Sequence, residues 1–226
     1  MDEKNITLID NLDIQKDDFT VKVRIIRLWS QPLFKDPQQL YSIKMILMDE
    51  EGSKIHANVL QKWISKFKKL LHEGAAIFIK NPTIARHVSK YKLIDNTNKL
   101  SLYYKTSVTK CLDFNGSLYG FSFAKYQNVI SKMVPEHATV DVIGEVVACQ
   151  TIVTISDEKG KPKKRMQIEI QDMESTNVYI GLKLHVTLWD AFVEQFNDYP
   201  YLSNSFNGTR LFINSEIDEI KDFRNM

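Results

Sequence analysis

A fourteen-residue segment occurs twice in this chain, 129 positions apart and without a gap. Lys54-Ile55-His56-Ala57-Asn58-Val59-Leu60-Gln61-Lys62-Trp63-Ile64-Ser65-Lys66-Phe67 aligns with Lys183-Leu184-His185-Val186-Thr187-Leu188-Trp189-Asp190-Ala191-Phe192-Val193-Glu194-Gln195-Phe196. Lys54/Lys183, His56/His185 and Phe67/Phe196 are identical, and Ile55/Leu184, Val59/Leu188, Trp63/Phe192 and Ile64/Val193 match as apolar pairs. In both copies the apolar period changes from two to about 3.6 partway through, the pattern of a strand running into a helix. Solenoid units span roughly 20 to 50 residues, so this offset points instead to two copies of one domain. Three identities in fourteen lie within reach of chance, and the flanking pattern has to carry the rest.

The flanks give two parallel series. Phe19–Trp29 alternates Phe19, Val21, Val23 and Ile25 inward against Thr20, Lys22 and Arg24 outward, a period-two strand. Gln31–Gln39, with Pro32 and Pro37, reads as a loop; Leu40–Met48 and Lys54–Val59 are the next strands, joined by Glu50-Glu51-Gly52. An amphipathic helix over Gln61–Leu71 presents Leu60, Trp63, Ile64, Phe67, Leu70 and Leu71 on one face and closes at Gly74. Ala75–Lys80, a short Tyr91–Leu93 and Leu100–Val108 supply the remaining strands. Strand, strand, strand, helix, strand, strand is the order of a five-stranded Greek-key barrel.

After a turn-rich connector, a short helix near Gln127–Met133 precedes a long strand Val140–Ile155, its partner Met166–Gln171, and a third strand Val178–Leu188. Asp190 is the expected cap of a helix with Ala191, Phe192 and Phe196 on its apolar side, and Leu211–Ile217 the expected fourth strand. A fifth strand is missing or reduced to Ile220–Phe223, so the second barrel reads as truncated. The expected division is an acidic arm at 1–18, a first barrel at 19–112, a connector at 113–120 and a second barrel at 121–226.

Charge is distributed unevenly along this plan. Residues 1–18 hold two Lys against six acids, 19–113 hold 17 Lys/Arg against seven acids, and 114–226 hold 11 against 15. A segment as basic as the second attracts phosphates through counterion release, or else forms a solvated Lys-rich surface. The acids Asp10, Asp13, Asp17 and Asp18 miss the calcium-loop spacing and read as a frayed arm. Two cysteines give neither a disulfide framework nor a metal cluster, and no apolar run approaches the roughly 18 residues of a membrane span. Gly-rich phosphate loops, GxSxG, HExxH and CxxC are absent from the sequence, which points away from an enzyme and calls for no cofactor.

Candidate contact residues follow from the barrel plan. Lys159-Gly160-Lys161-Pro162-Lys163-Lys164-Arg165 falls between the first two strands of the second copy, where Lys161, Lys163, Lys164 and Arg165 either clamp a phosphate backbone or form a solvated hairpin tip. The same run has the composition of a nuclear-import signal. Trp189, at a strand-to-helix junction, is either a stacking platform for a base or a core aromatic. Tyr91 between Lys90 and Lys92, and Phe223 between Lys221 and Arg224, place rings among cations, the mixture that suits single-stranded nucleic acid. His56 and His185 are strand residues on a groove or core face, without metal-ligand spacing.

Arg27-Leu28-Trp29-Ser30, Leu40-Tyr41-Ser42-Ile43 and Asp49-Glu50-Glu51-Gly52-Ser53-Lys54-Ile55-His56-Ala57 resemble the first central DNA-binding domain of the replication protein A large subunit. Val140-Asp141-Val142-Ile143-Gly144-Glu145-Val146-Val147 and Val186-Thr187-Leu188-Trp189 are similar to its second, and the wording is nearest the divergent plant relatives. The resemblance runs from Phe19 to Phe223 and rests on the ordered series rather than on any one motif. It implies tandem OB-fold barrels that bind single-stranded DNA in replication, repair or recombination, in the nucleus, with RNA as an alternative ligand and the other subunits of the family's heterotrimer as partners. It further implies groove roles for Arg27 and Arg86, with His56 where the family often has Arg; Trp29 and Lys90 are further candidate contacts. Stacking roles fall to Tyr91 in the first barrel and to Trp189 and Phe223 in the second. Val59-Leu60 stands where the first barrel's other aromatic is expected, and Glu219 near an expected cation, with Lys221 to compensate. The family's zinc-bearing third domain and N-terminal interaction barrel are not matched. A module of the same fold that binds protein rather than nucleic acid is the competing expectation.

Overall fold

The computed structural model describes residues 6–16, 18–87, 89, 93–136, 138–158, 160–173, 181–198 and 209–226. The chain divides into two compact units, Met1–Phe121 and Ser122–Met226. Strands with a few short helices make up both.

The first unit is one curled mixed sheet. Its elements are β1 (Thr20–Pro32), β2 (Leu40–Met48), β3 (Lys54–Leu60), α1 (Gln61–Phe67), β4 (Ala76–Lys80), β5 (Thr83–Arg86), β6 (Asn98–Leu102) and β7 (Ser107–Lys110). Their order is β5-β6-β3-β2-β1-β4-β7, with β3 and β6 parallel and every other pair antiparallel. β4 and β5 are successive pieces of chain bent at Asn81, whose φ is +54°. β6 and β7 flank a turn in which the buried Thr106 hydroxyl accepts the Tyr103 N–H and donates to the Asn81 carbonyl, each at 3.1 Å. One edge of the sheet is β5 on β6 and the other is β4 on β7, so the same two bent segments meet at both edges and the sheet curls into an OB barrel.

Alternation sorts the side chains. Val21, Val23 and Ile25 of β1, Met45 and Leu47 of β2, and Ile55, Ala57 and Val59 of β3 fill the interior with Ile77, Ile79, Leu100 and Leu102, and Ile64 and Phe67 of α1 plug one end. A bulge at Ile26 shifts the register from Ile25↔Leu47 to Arg27↔Ile46. Ile26 is thereby carried to the outer face, where it forms a small cluster with Ile46 and Met48.

Several expectations change. Residues 6–16 do not fray: Ile9 is buried in the barrel core and its N–H donates to the Asp49 carboxylate at 2.8 Å. β1 continues through Gln31 to Pro32, because Pro32 opposite Leu40 is the last rung before the loop. α1 stops at Phe67, after which a tight turn still delivers Leu71 to the core. Leu100–Val108 is two strands rather than one, since the turn built on Thr106 interrupts it. β5, only four residues long, adds a strand that the sequence pattern does not signal. Tyr91 and Lys92 lie outside the described residues, and Leu93 belongs to no strand.

The second unit contains α2 (Tyr126–Ile130), β8 (Glu145–Cys149), β9 (Val153–Ser156), β10 (Pro162–Gln171), β11 (Lys183–Trp189), α3 (Ala191–Asp198) and α4 (Asp218–Arg224). β10 is central, pairing with β11 on one side and with β8 and β9, end to end, on the other. Met166, Ile168, Ile170, Leu184 and Leu188 bury one sheet face against Tyr126 and against Val193 and Phe196 of α3. The expected strand Val140–Ile155 begins only at Glu145 and is broken at residues 150–152, with a separate bulge within β8 opposite Glu169/Ile170.

Three further expectations are corrected in this unit. Leu211–Ile217 forms no strand. Ile220–Phe223 lies inside α4, whose acids Asp218 and Glu219 sit in the first turn and whose cations Lys221 and Arg224 sit in the last, a placement that favours a helix through its dipole. Asp190 does not act as a simple side-chain cap. It takes φ +47°, and its backbone N–H and carboxylate instead continue the pairing with Lys164 of β10 at 3.0 Å each. Among the described residues, no helix is long and apolar enough to cross a membrane.

Candidate nucleic-acid interface

The outer face of the first barrel follows directly from strand register. Trp29, Lys44, Asn58, Ser101 and Thr83 form one cross-strand row, and Arg27, Ile46, His56, Lys99 and Ala85 form the next. Inward neighbours such as Met45, Ala57 and Leu100 are buried, so these rows must face outward. The Ser101 hydroxyl donates to Asn58 Oδ1 at 2.6 Å, tying β6 to β3.

His56 and His87 are in ring contact on this face, with centroids 4.3 Å apart. Burial, then His87 and the cations Lys44 and Lys99, push the His56 pKa down to about 4. Burial, then the same two lysines, lower that of His87. Both rings are therefore neutral near pH 7, and the positive charge of the face comes from Lys44 and Lys99. Among the described residues neither lysine forms an ion pair.

The expected site residues divide. Trp29 and His56 lie in these rows. Arg27 does too, but its guanidinium is ion-paired with Glu73, which also accepts the Leu28 N–H at 2.8 Å. Trp29 is partly buried against the Ile26/Ile46/Met48 cluster, together with Leu93 and Ile94 of the β5–β6 loop. Arg86 is exposed at the end of β5 and opposite Asn98, on the alternate side from Ala85, so it does not join the rows. Lys90 and Tyr91 lie outside the described residues. Leu60 ends β3 with 39% of its surface exposed, while Val59 is fully buried. An aliphatic side chain thus stands on the outer face at the place where the resemblance implies an aromatic.

In the second unit, Arg165 and Trp189 are cross-strand partners on the face opposite the core. Strand alternation puts Lys163 on their side. Lys163, Lys164 and Arg165 belong to β10 rather than to a flexible loop, because 162–165 pair with 153–156. In the connection between β9 and β10, Asp157 accepts the Gly160 and Lys161 N–H groups. Lys164 points to the other side and pairs with Glu194 of α3 at 2.8 Å. Lys183 pairs with Glu169 at 2.8 Å, and His185 lies 3.8 Å from the same carboxylate. Lys221 and Phe223 sit on α4, with Lys221 near Glu216 and Asp218, rather than on a strand of this sheet.

Sequence reasoning missed Lys44, Asn58, His87, Lys99 and Ser101. Lys44 and Asn58 could have been found, since both alternate with buried residues on strands that the pattern places correctly. Lys99, Ser101 and His87 depend on the parallel β3–β6 pairing, which leaves no local signal.

Residues 10–132 match the family model described as "Domain of unknown function DUF223". The chain is 21% identical over 148 residues to a 70 kDa DNA-binding subunit of replication protein A from Oryza sativa subsp. japonica, a match that covers 65% of this chain and 21% of that protein. It therefore spans about a fifth of the length of this curated relative. It also superposes, with a TM-score of 0.61 and 18% identity, on a chain of a replication protein A heterotrimer solved bound to single-stranded DNA, covering 97% of this chain and 54% of that one. With the family model spanning more than half of its residues, the chain belongs to the DUF223 family and is a divergent relative of the replication protein A large subunit.

Proposed function

We propose that this chain is a non-enzymatic protein that binds single-stranded DNA, with the outer face of its first barrel as the primary groove. The observation that carries this is the pair of cations Lys44 and Lys99, without an ion pair among the described residues, set around Trp29 and the neutral His56–His87 pair on an OB barrel. Cations along such a face follow the phosphates, while flat side chains receive bases. The second unit adds a smaller contact in which Trp189 stacks a base and Arg165 and Lys163 hold its phosphates. We take this unit to be a reduced barrel of the same kind, with boundaries near 19–112 and 121–226. Two such sites on one chain raise the effective concentration of each for a shared strand. Action in replication, repair or recombination, a nuclear location, and contact with other subunits of a heterotrimer belong to the same proposal, by similarity to the relatives named above.

A protein-interaction role is the second reading. It is favoured by Leu60 at a stacking position and by Leu93 and Ile94 packed on the outer cluster. Fluorescence anisotropy of a labelled ~30-nucleotide oligothymidine, titrated against salt beside a duplex of equal length, separates the two. Micromolar or tighter single-strand binding that weakens steeply with salt supports the DNA reading. Failure of folded protein to bind at low salt would leave the interaction module.

A further inference from the structure

A second group of rings and cations lies at the end of the first barrel where β3 and β6 finish. Val59 pairs with Leu102 there, so α1 and the turn from Tyr103 to Thr106 start side by side. The rings of Trp63 and Tyr104 are 6.0 Å apart, and Tyr103 meets Tyr104 edge-on at 5.2 Å. Lys66 locks the turn to the helix: its ammonium donates to the carbonyls of Tyr104 and Thr106, at 2.7 Å each. Tyr104 is held in place by these contacts and is nonetheless 59% exposed.

Cations surround these rings. Lys62 Nζ lies 5.4 Å from the Trp63 ring centre and Lys105 Nζ 5.8 Å from that of Tyr104. Lys68 and Lys69 follow on the same segment, and residues 61–71 contain four Lys with no Asp or Glu. Among the described residues, Lys62, Lys68, Lys69 and Lys105 form no ion pair. Like charges gathered without acids repel one another and attract a polyanion. An acidic peptide would answer the charge but would offer no planar face to Tyr104. A single strand supplies both phosphates and bases.

We propose that α1 and the 103–106 turn form a second single-strand contact, onto which a strand held by the β2–β3 face continues. This rests on the single-stranded DNA reading above. Tyr104 stacks a base on its open face, and Lys62, Lys68, Lys69 and Lys105 hold the flanking phosphates. Strands too short to leave the groove do not reach them.

The test titrates the full chain with labelled oligothymidines of about 8 and about 20 nucleotides, lengths that fall within and beyond one barrel's site. Tyr104→Ala/Lys105→Gln and Lys62→Gln/Lys69→Gln are compared with the groove variant Lys44→Ala/Lys99→Ala. Both patch variants should match the parent on the short strand and bind the long one about tenfold more weakly. The log–log salt slope on the long strand should fall by about 0.7 for each lysine removed. Lys62→Gln/Lys69→Gln alters only exposed side chains, so it carries the test even if loss of the Tyr104 ring disturbs the turn. Patch variants equal to the parent at both lengths, with the groove variant impaired, would overturn this contact and spare the groove. A parent chain that binds neither strand removes both. Capture of an oligoglutamate through these lysines, with no loss on the long strand, would overturn it in favour of an acidic protein segment.

Discussion

Leu60 and Trp189 hold the same position in their two units: each ends its strand directly after a fully buried residue, Val59 or Leu188, and each precedes a helix. They are also equivalent in the fourteen-residue repeat. Burial of the preceding residue forces both outward. The two units thus share one scaffold position and differ in its chemistry, an aliphatic side chain in one and an indole beside Arg165 in the other.

Exchange at this position should therefore change binding without harming the fold. Trp189→Ala should weaken single-strand binding by about 1–3 kcal/mol, and Leu60→Trp should strengthen it, because a ring adds a stacking face. Neither residue is part of a buried core cluster, so melting temperatures should move little. Anisotropy and thermal melts of the two variants measure both effects, and a gain from Leu60→Trp comparable to the loss from Trp189→Ala would establish the equivalence in solution.

Stability should depend on pH through His56. Its pKa is about 4 in the folded chain against an ordinary 6.5, because burial and the facing groups His87, Lys44 and Lys99 disfavour its protonated form. Between those two values the unfolded chain binds a proton that the folded chain does not, so stability falls as pH drops from about 6.5 toward 4. His87 shifts in the same direction and adds to the slope. Urea unfolding at pH 7.0 and pH 4.5 should show the loss, and His56→Gln should reduce it. An equal pH dependence in His56→Gln would place its origin elsewhere.

The legibility of this chain depends on how local each feature is. β1 to β4 and the strand-to-helix switch at Leu60 can be read, because inward residues such as Val21, Val23 and Ile25 recur with period two. The Ile26 bulge is invisible: Ile25 and Ile26 are both apolar, and only pairing to β2 shows which one leaves the barrel. β5 is too short to register, and the split of β6 from β7 hinges on the Thr106 hydroxyl reaching Asn81, 25 positions away. The barrel template puts Phe223 on a strand, although its own neighbours Asp218, Glu219, Lys221 and Arg224 are ordered as a helix dipole prefers. Of the residues singled out by the resemblance, Arg27, Trp29 and His56 fall on one outer face, while the cations Lys44 and Lys99 of that face emerge only from strand register.

Those two cations should set the salt dependence of the first groove. Each stands on the outer face without an ion pair among the described residues, so each is available to a phosphate. Lys44→Ala and Lys99→Ala should each lower the log–log salt slope for an oligothymidine by about 0.7. Arg27→Ala should differ: its guanidinium is engaged by Glu73, which also holds the Leu28 N–H, so the change costs stability as well as charge. Binding isotherms at four salt concentrations, with a melt for each variant, distinguish a phosphate contact from a structural ion pair.

The repeat also predicts a matched pair of core effects. Ile55 and Leu184 are equivalent in the repeat and buried in separate cores, one in the first barrel and one against α3 and β10. Ile55→Ala should cost about 2–5 kcal/mol, the range for emptying a packed aliphatic site. Leu184→Ala should fall at the low end of that range, because Leu184 retains 8% exposure and its sheet has four strands to surround it rather than seven. Since the chain divides into two compact units, the two losses should appear in different steps of a urea titration followed by hydrogen exchange. A single transition shifted equally by both substitutions would mean that the units unfold together.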